Sequence, residues 1–288
     1  LNIGKLGVWA RVNAMTAADS AVFAEQVEGW GYTALWVPEL MARDPLVTCA
    51  WLLAKTTRLN LATGMANIYV RDPFAMANAQ YALAEQSGGR FLLGIGPSHK
   101  PFVEGALGHR YESPAGKVRD YLAAMAKVPY QGPQPPEKPK TILGALGSNM
   151  IALAGAHADG VHSFNVTPDH TAEARRIMGP GKLLCPEQKV LLETDATKAR
   201  AAARQALGLS LTLPNYRNSY LRQGFIAEDL ENGGSDRLVD GIVAWGDETA
   251  IRERIRQHWD AGADHVCIHA VAPEDQNTND VLKLLAPG

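Results

Sequence analysis

The chain has 288 residues, with 28 Lys and Arg against 30 Asp and Glu, a net charge of -2 and 46% hydrophobic residues. That is enough for two ordinary domains or one large core. The near-neutral charge, spread along the chain, gives no electrostatic reason to expect nucleic acid or an anionic membrane as partner. No apolar run approaches the roughly 18 residues of a membrane span, and the opening LNIGKLGVWARVN is too short in its apolar part for a signal peptide. Cys49, Cys185 and Cys267 lie far apart and form no CxxC pair for a metal or redox couple, so a reducing cytoplasm is the expected setting.

Short apolar strands alternating with amphipathic helices predict βα units around a parallel sheet. A first strand is expected at Leu6–Trp9. A helix from Ala17 to Trp30 follows, with Val22, Phe23, Val27 and Trp30 at helical spacing and Gly31 behind it. A second strand, Ala34–Val37, leads through a helix over 45–57 to a third strand near Leu59. That strand ends at Gly64, where a residue without Cβ lets the chain turn sharply or approach a planar ligand. Arg71-Asp72-Pro73 opens a helix, since Pro suits a first turn whose N–H groups are orphaned anyway. Ser87-Gly88-Gly89 stops it, and a buried strand from Arg90 runs into Gly94-Ile95-Gly96-Pro97.

After a helix from Lys117 to Val128, five prolines between Pro129 and Pro139 exclude regular structure. The rhythm resumes at once with Thr141–Gly144, so this segment reads as a surface loop rather than a domain linker. A helix over Ser148–His157, a strand over Gly160–Ser163, a further helix, and a strand over Gln188–Glu193 follow. An Ala- and Arg-rich helix spans 196–207, and residues 214–245 are the least regular, with one or two helices before a strand-like Gly241–Trp245. A helix over Thr249–Ala261 and a strand over His265–Val271 complete about eight strands. Eight parallel strands with intervening helices close into a TIM-type (β/α)8 barrel of class α/β, here one domain over 1–288.

Active sites of such barrels lie at the C-terminal strand ends. Those ends are Trp9–Arg11, Pro38–Met41, Gly64–Asn67, Gly96–His99, Ala145–Ser148, His162–Asn165, Trp245 and His269. Glu39 is the one carboxylate among them, which argues against a paired-carboxylate glycosidase, and no GxSxG elbow marks a serine hydrolase. His265 and His269 stand about 13 Å apart on a strand, too far for one ion, and no metal site is expected. Gly94-Ile95-Gly96 lacks the third glycine of a dinucleotide fingerprint. Gly144-Ala145-Leu146-Gly147-Ser148 follows a strand and opens a helix, where free N–H groups and the helix dipole attract phosphate. The other reading is an ordinary turn with Ser148 as N-cap. Trp9, Trp36 and Trp245 either wall a pocket or fill the barrel. Together these ends suggest a phosphorylated, planar cofactor across the barrel mouth.

The stretches ALWVPE, RDPFAMANAQYALAEQSGGRFLLGIG, ALGSNMIALAGAHADGVH, SDRLVDGIVAWG and AGADHVCIH resemble the bacterial luciferase-like superfamily. Within it they resemble the mycobacterial-type oxidoreductases that use the deazaflavin coenzyme F420, over nearly the whole chain. The resemblance implies a barrel, usually a homodimer, that binds F420 or FMN at its C-terminal mouth. Carried over residue by residue, the family's non-prolyl cis peptide falls at Gly64-Met65 as a platform for the ring, a trans bond in a bulge being the other reading. Asn67 falls at the ring edge, Pro97 and Ser98 at the fourth strand's end, and Gly144, Ala145, Leu146, Gly147 and Ser148 at the phosphate. His99 takes the place of an acid that acts on the substrate in relatives.

One departure matters. Relatives that oxidise alcohols and sugar phosphates carry a His after the second strand, where this chain reads Pro38-Glu39-Leu40-Met41. Either Glu39 or His99 substitutes, or the enzyme runs in the reducing direction with an acid. His99 is the first candidate for proton transfer, because imidazole titrates near working pH, against an exposed loop His. Glu39 is the second, against a structural pairing with Arg11 or Arg43. Arg71 is expected to cap its helix, the other reading being contact with a phosphate, and the segments 129–140 and 214–245 to shape the pocket. The expected function is hydride transfer between F420 and a small organic substrate. The alternatives are an FMN-dependent monooxygenase and a non-catalytic binder of a phosphorylated ligand.

Overall fold

A computed structural model describes residues 1–273 and 276–287. In chain order the first half consists of β1 (Leu6–Trp9), α1 (Ala17–Gly29), β2 (Ala34–Val37), α2 (Pro45–Lys55), β3 (Asn60–Thr63), β4 (Ala66–Asn67), α3 (Pro73–Gln86), β5 (Phe91–Gly96), α4 (Lys100–Gly105) and α5 (Pro114–Met125). The second half adds β6 (Thr141–Gly144), α6 (Ser148–His157), β7 (Gly160–Ser163), α7 (Pro168–Met178), β8 (Leu183–Leu192), α8 (Ala196–Thr212) and α9 (Pro214–Arg222). Last come α10 (Asp236–Ile242), β9 (Val243–Gly246), α11 (Glu248–Asp260), β10 (Val266–Ala270) and α12 (Thr278–Leu284). No helix among the described residues is long and apolar enough to cross a membrane.

All the strand pairings are parallel. They run β1-β2-β3-β5-β6-β7-β8, and β10 joins both β8 and β1, closing a ring of eight. β4 prolongs β3 across a break and pairs β5, while β9 pairs the far end of β8 outside the ring. The strand read at Gly241–Trp245 is therefore β9 and not a stave. Trp245 accordingly neither walls the mouth nor fills the barrel: its indole N–H donates to Asp240 on α10 at 2.8 Å.

The strand expected at Gln188–Glu193 begins five residues earlier, at Leu183. Pro186 and the polar Glu187-Gln188-Lys189 disguise it in the sequence. Pro186 lies where the ladder to β7 ends and the ladder to β10 begins. The Pro-rich segment departs from expectation in place. It joins α5 to β6 and so lies at the N-terminal foot of the ring, where the Leu1 ammonium meets Glu137 at 2.5 Å, away from any mouth pocket.

Period-two alternation sorts the strand residues into two layers. Leu35, Val37, Leu61, Leu93, Ile95, Leu143 and Val161 face the helices in one large core. Inside the ring Trp9, Ala34, Trp36, Ala62, Leu92, Ile142, Cys185 and Cys267 form another. Trp36, fully buried, fills the ring's centre; its indole N–H donates to His265 Nε2 at 3.1 Å, so His265 carries its proton on Nδ1 and donates to Gly4 O at 3.0 Å. The His162 ring stacks on Trp36, with centroids 4.6 Å apart. Gly7 makes room for this layer, because a Cβ there would lie 2.7 Å from His265 Nε2.

Where β3 breaks, the Thr63 hydroxyl takes over the ladder. It accepts from Gly94 N at 2.8 Å and donates to Gly94 O at 2.7 Å. A Cβ on Gly94 would stand 2.1 Å from Thr63 O and 2.7 Å from Met65 Cε, both closer than atoms pack. Gly94→Ala is expected to lower stability by about 1–3 kcal/mol or more in urea unfolding. Gly208→Ala, in α8 with nothing within 4 Å of the added Cβ, is expected to raise it by about 0.5–1 kcal/mol. Equal effects at the two sites would contradict this account of the ring.

Candidate active site

The C-terminal mouth is floored by the β3–β4 turn. The Gly64-Met65 peptide is cis, and the Trp9 indole N–H, from β1, donates to Gly64 O at 3.2 Å. The Met65 side chain passes over Gly94, Gly96 and Gly144, whose added Cβ atoms would lie 2.7, 3.6 and 3.0 Å from it. Two adjacent strands, β5 and β6, thus present backbone, without side chains, to one methionine.

Asn67 follows on β4. Its backbone N–H donates to Glu39 at 2.6 Å and its Oδ1 accepts from Tyr69 N at 2.9 Å, while its buried Nδ2 has no partner among the described residues. Glu39 is bound in turn by Arg71 at 2.8 Å, which also pairs with Asp44, the N-cap of α2. The pairing expected for Glu39 with Arg11 or Arg43 is therefore made by Arg71. Arg71 does not cap α3 either, because Asp72 does so through Phe74 N at 2.8 Å. The difference follows from Arg71 preceding the cap residue, which leaves its long side chain free to reach back to α2.

The β6–α6 turn forms a second end of the mouth. Gly147, not Ser148, is the N-cap of α6 and brings no side chain, so the first amides of the helix keep no side-chain acceptor. Ala145 and Leu146 are fixed from behind: Ala145 N donates to His162 O at 3.1 Å, and His170 Nε2 donates to Leu146 O at 2.8 Å. The Arg222 guanidinium, at the end of α9, comes within 3.4 Å of where a Cβ of Gly147 would be. A cavity of about 400 Å³ opens here, lined by Ser113, Pro114, Gly147, Ser148, Asn149 and Arg222. Uncapped helix amides beside a guanidinium form an anion-binding arrangement.

Pro97 and Ser98 form the rim after β5, with Ser98 in the left-handed region at φ 58° and its carbonyl accepting from Tyr111 Oη at 3.2 Å. His99 is half-buried there rather than exposed on a loop. Its Nδ1 lies 2.9 Å from Asn215 Oδ1, and burial lowers its pKa against the pull of that hydrogen bond. From His99 a wall of rings crosses the mouth through Tyr216, Phe164 and Trp9, with centroids 5.5, 6.2 and 5.1 Å apart in turn.

A further cluster escaped the reading of strand ends. Glu187 and Lys189, both buried and two apart on β8, point into the ring and pair at 3.0 Å. Glu187 also accepts from Asn165 N at 3.1 Å and from His269 Nδ1 at 3.0 Å. The Lys189 ammonium donates to Asn165 Oδ1 and lies 4.0 Å over the Phe164 ring. Burial alone would push the Glu187 carboxyl up, but Lys189 and the His269 N–H bring it down to about 2. Burial lowers Lys189 against the attraction of Glu187. The expected strand at Gln188–Glu193 leaves Glu187 outside it; the strand's start at Leu183 sets Glu187 and Lys189 on one inward face. Among the described residues no group of His, Cys, Asp and Glu is arranged to hold a metal ion.

Compared with known proteins, residues 4–265 match the luciferase-like monooxygenase family. A 5,10-methylenetetrahydromethanopterin reductase of Methanolobus tindarius is 26% identical, over 92% of this chain and 93% of its own. The chain spans about half the length of curated mycobacterial relatives that it matches, 48% of an uncharacterized Mycobacterium tuberculosis protein at 28% identity over half of this chain. Among solved structures, an F420-dependent secondary alcohol dehydrogenase in complex with an F420-acetone adduct superposes with a TM-score of 0.78 at 15% identity, over 98% of both chains. The coenzyme F420-dependent tetrahydromethanopterin reductase of Methanopyrus kandleri gives 0.74 at 17%, over 98% of this chain and 97% of its own.

The buried rings make stability depend on pH. Burial, the largest cause in each case, lowers His162, His265 and His269 to about 4 and His258 to about 3. The unfolded chain takes up these protons near the ordinary value of 6.5, the folded chain only near 4, so the stabilisation is complete above 6.5 and is lost as pH falls toward 4. Each ring lowered to about 4 contributes up to about 3 kcal/mol and His258 up to about 5 kcal/mol, so the four together are of the order of an ordinary folding free energy of about 5–15 kcal/mol. The urea midpoint is expected to be flat above neutrality and to fall from about pH 6.5, with unfolding before pH 4. A midpoint constant down to that pH would show that the rings are not held neutral.

Proposed function

The chain belongs to the luciferase-like monooxygenase family, and on that footing we propose that it is an oxidoreductase moving a hydride between coenzyme F420 and a small organic substrate. The floor of the mouth carries this reading. Met65 at the turn, the Cβ-free Gly94, Gly96 and Gly144, and the unpartnered Asn67 amide suit a flat ring with a polar edge. At one end Arg222 and the uncapped start of α6 suit its phosphate. In this proposal Gly64, Met65, Asn67, Pro97 and Ser98 hold the ring, and Gly144 through Ser148 hold the phosphate.

When bound, the deazaflavin supplies or accepts the hydride; everything else falls to the chain. The aromatic wall excludes water and sets the substrate against the ring. Glu39 serves by fixing the Asn67 backbone together with Arg71. The accompanying proton is exchanged by an imidazole of the mouth, and His99, held at Nδ1 by Asn215, is one of the two in reach. The family's description as monooxygenases favours a second reading, an FMN-dependent monooxygenase.

Dimerisation belongs to the proposal as well. Met41, Val47, Trp51, Val70 and Phe74 are exposed apolar residues on or beside the adjoining α2 and α3, and a second copy of this chain covers them. A cytoplasmic setting agrees with three buried free cysteines.

Fluorescence titration with F420 and with FMN tests the cofactor. F420 is expected to bind more tightly, and Arg222→Ala to weaken it by about tenfold to a hundredfold. Tighter binding of FMN would move the assignment to the monooxygenase, and no binding of either would remove both. In sedimentation velocity the protein is expected to run as a dimer and the Val47→Glu, Phe74→Glu double variant as a monomer; a monomeric wild type would exclude this interface.

A further inference from the structure

Two imidazoles flank the Tyr216–Phe164 wall: His99 beside Tyr216 and His269 with its centroid 6.1 Å from Phe164. They are held differently. His99 leans on the neutral amide of Asn215, whereas His269 Nδ1 lies 3.0 Å from a buried carboxylate oxygen of Glu187. A carboxylate only accepts, so Nδ1 carries the proton and the lone pair of His269 is on Nε2. Glu187 is itself fixed by Lys189 and by the Asn165 amide, and Trp9 packs 4.3 Å from the His269 ring. Nε2 meets no hydrogen-bond partner among the described residues. The His269 side chain keeps 13% exposure at the end of β10, where Glu187 keeps none. The mouth therefore holds an oriented imidazole with a buried counter-charge behind it and an available lone pair in front.

Resting on the F420 reading, we infer that His269 is the base that takes the proton from a substrate hydroxyl, with Glu187 as its positioning residue. The substrate class is an alcohol with an aromatic or apolar body lying on Trp9, Phe164 and Tyr216, or the matching carbonyl compound in reverse. In the oxidising direction the O–H bond breaks, its electron pair closes the C=O bond, and the proton goes to Nε2. The carbinol C–H bond breaks with both electrons, which pass with that hydrogen to the oxidised deazaflavin. The imidazolium is balanced by Glu187 and returns its proton to water. Burial, with Lys189 on β8 and Arg11 beyond β1 adding to it and Glu187 opposing, keeps the resting ring neutral, its pKa lowered to about 4. Lys189 is unsuited to the task because its ammonium is spent on Glu187 and Asn165.

The test uses the full chain with F420, taking 1-phenylethanol and propan-2-ol as probes, beside nitrogen NMR of histidine-labelled protein without coenzyme. His269 is expected as the Nδ1–H tautomer throughout the neutral range, and Glu187→Gln to lose that preference. His269→Gln is expected to lower turnover of 1-phenylethanol by about a hundredfold or more with F420 affinity unchanged, and His99→Gln to lower it less. Should Glu187→Gln fail to fold, the wild-type tautomer and the two histidine variants decide. A His269 proton on Nε2 in the wild type, wild-type turnover in His269→Gln, or a larger loss in His99→Gln overturns the assignment. A wild type that binds F420 but oxidises neither probe overturns it and leaves the cofactor reading standing, whereas a protein that does not bind F420 loses both.

Discussion

The register between β8 and β10 is the constraint on which the mouth depends. It closes the ring, and by setting Cys267 against Glu187 and His269 against Lys189 it decides which inward side chains meet. The Glu187 carboxylate has no exposed surface inside the closed ring, so its oxygens need protein donors. Lys189, His269 and the Asn165 amide are those donors, and each comes from a different part of the mouth or a different register position. A one-residue slip of β10 would turn His269 toward the helices and leave Glu187 short of a donor. Closure, charge balance and the orientation of the imidazole are therefore one requirement.

The opposite side of the mouth is organised by subtraction. Gly94, Gly96 and Gly144 remove side chains where Met65 crosses, and the Thr63 hydroxyl repairs the ladder that the break between β3 and β4 interrupts. Beyond the break, Glu39, Arg71 and Asp44 tie the end of β2, the start of α2 and β4 into one charged brace. One half of the mouth is thus a dense polar network inside the ring, and the other a bare floor stiffened from outside it.

Much of this was legible in the sequence, because period and punctuation carry it. Ser148–His157 and Gly160–Ser163 have the bounds that alternation and glycine placement predict, and the Gly64-Met65 turn falls where the family resemblance puts it. What escaped shares one cause: pairings between residues distant in sequence. Glu187 looks solvated until β8 is extended back through Pro186, and Arg71 looks like a helix-start residue until Glu39 and Asp44 are seen to converge on it. By length alone the Pro-rich segment reads as a pocket loop, since long loops vary freely on barrels. A connection from helix to strand, however, emerges at the foot of the ring, whatever its composition.

Helix α9 has a consequence of its own. It carries Asn215 and Tyr216 in its first turn, beside His99 and the ring wall, and Arg222 at its last residue, beside Gly147. Six residues of helix fix the span between these two positions at about 9 Å. The helix is therefore a rigid spacer, which ties the Gly147 turn and the His99 rim to one element so that neither can shift without the other. Under the proposed function it couples the phosphate end of the mouth to the end where the substrate sits.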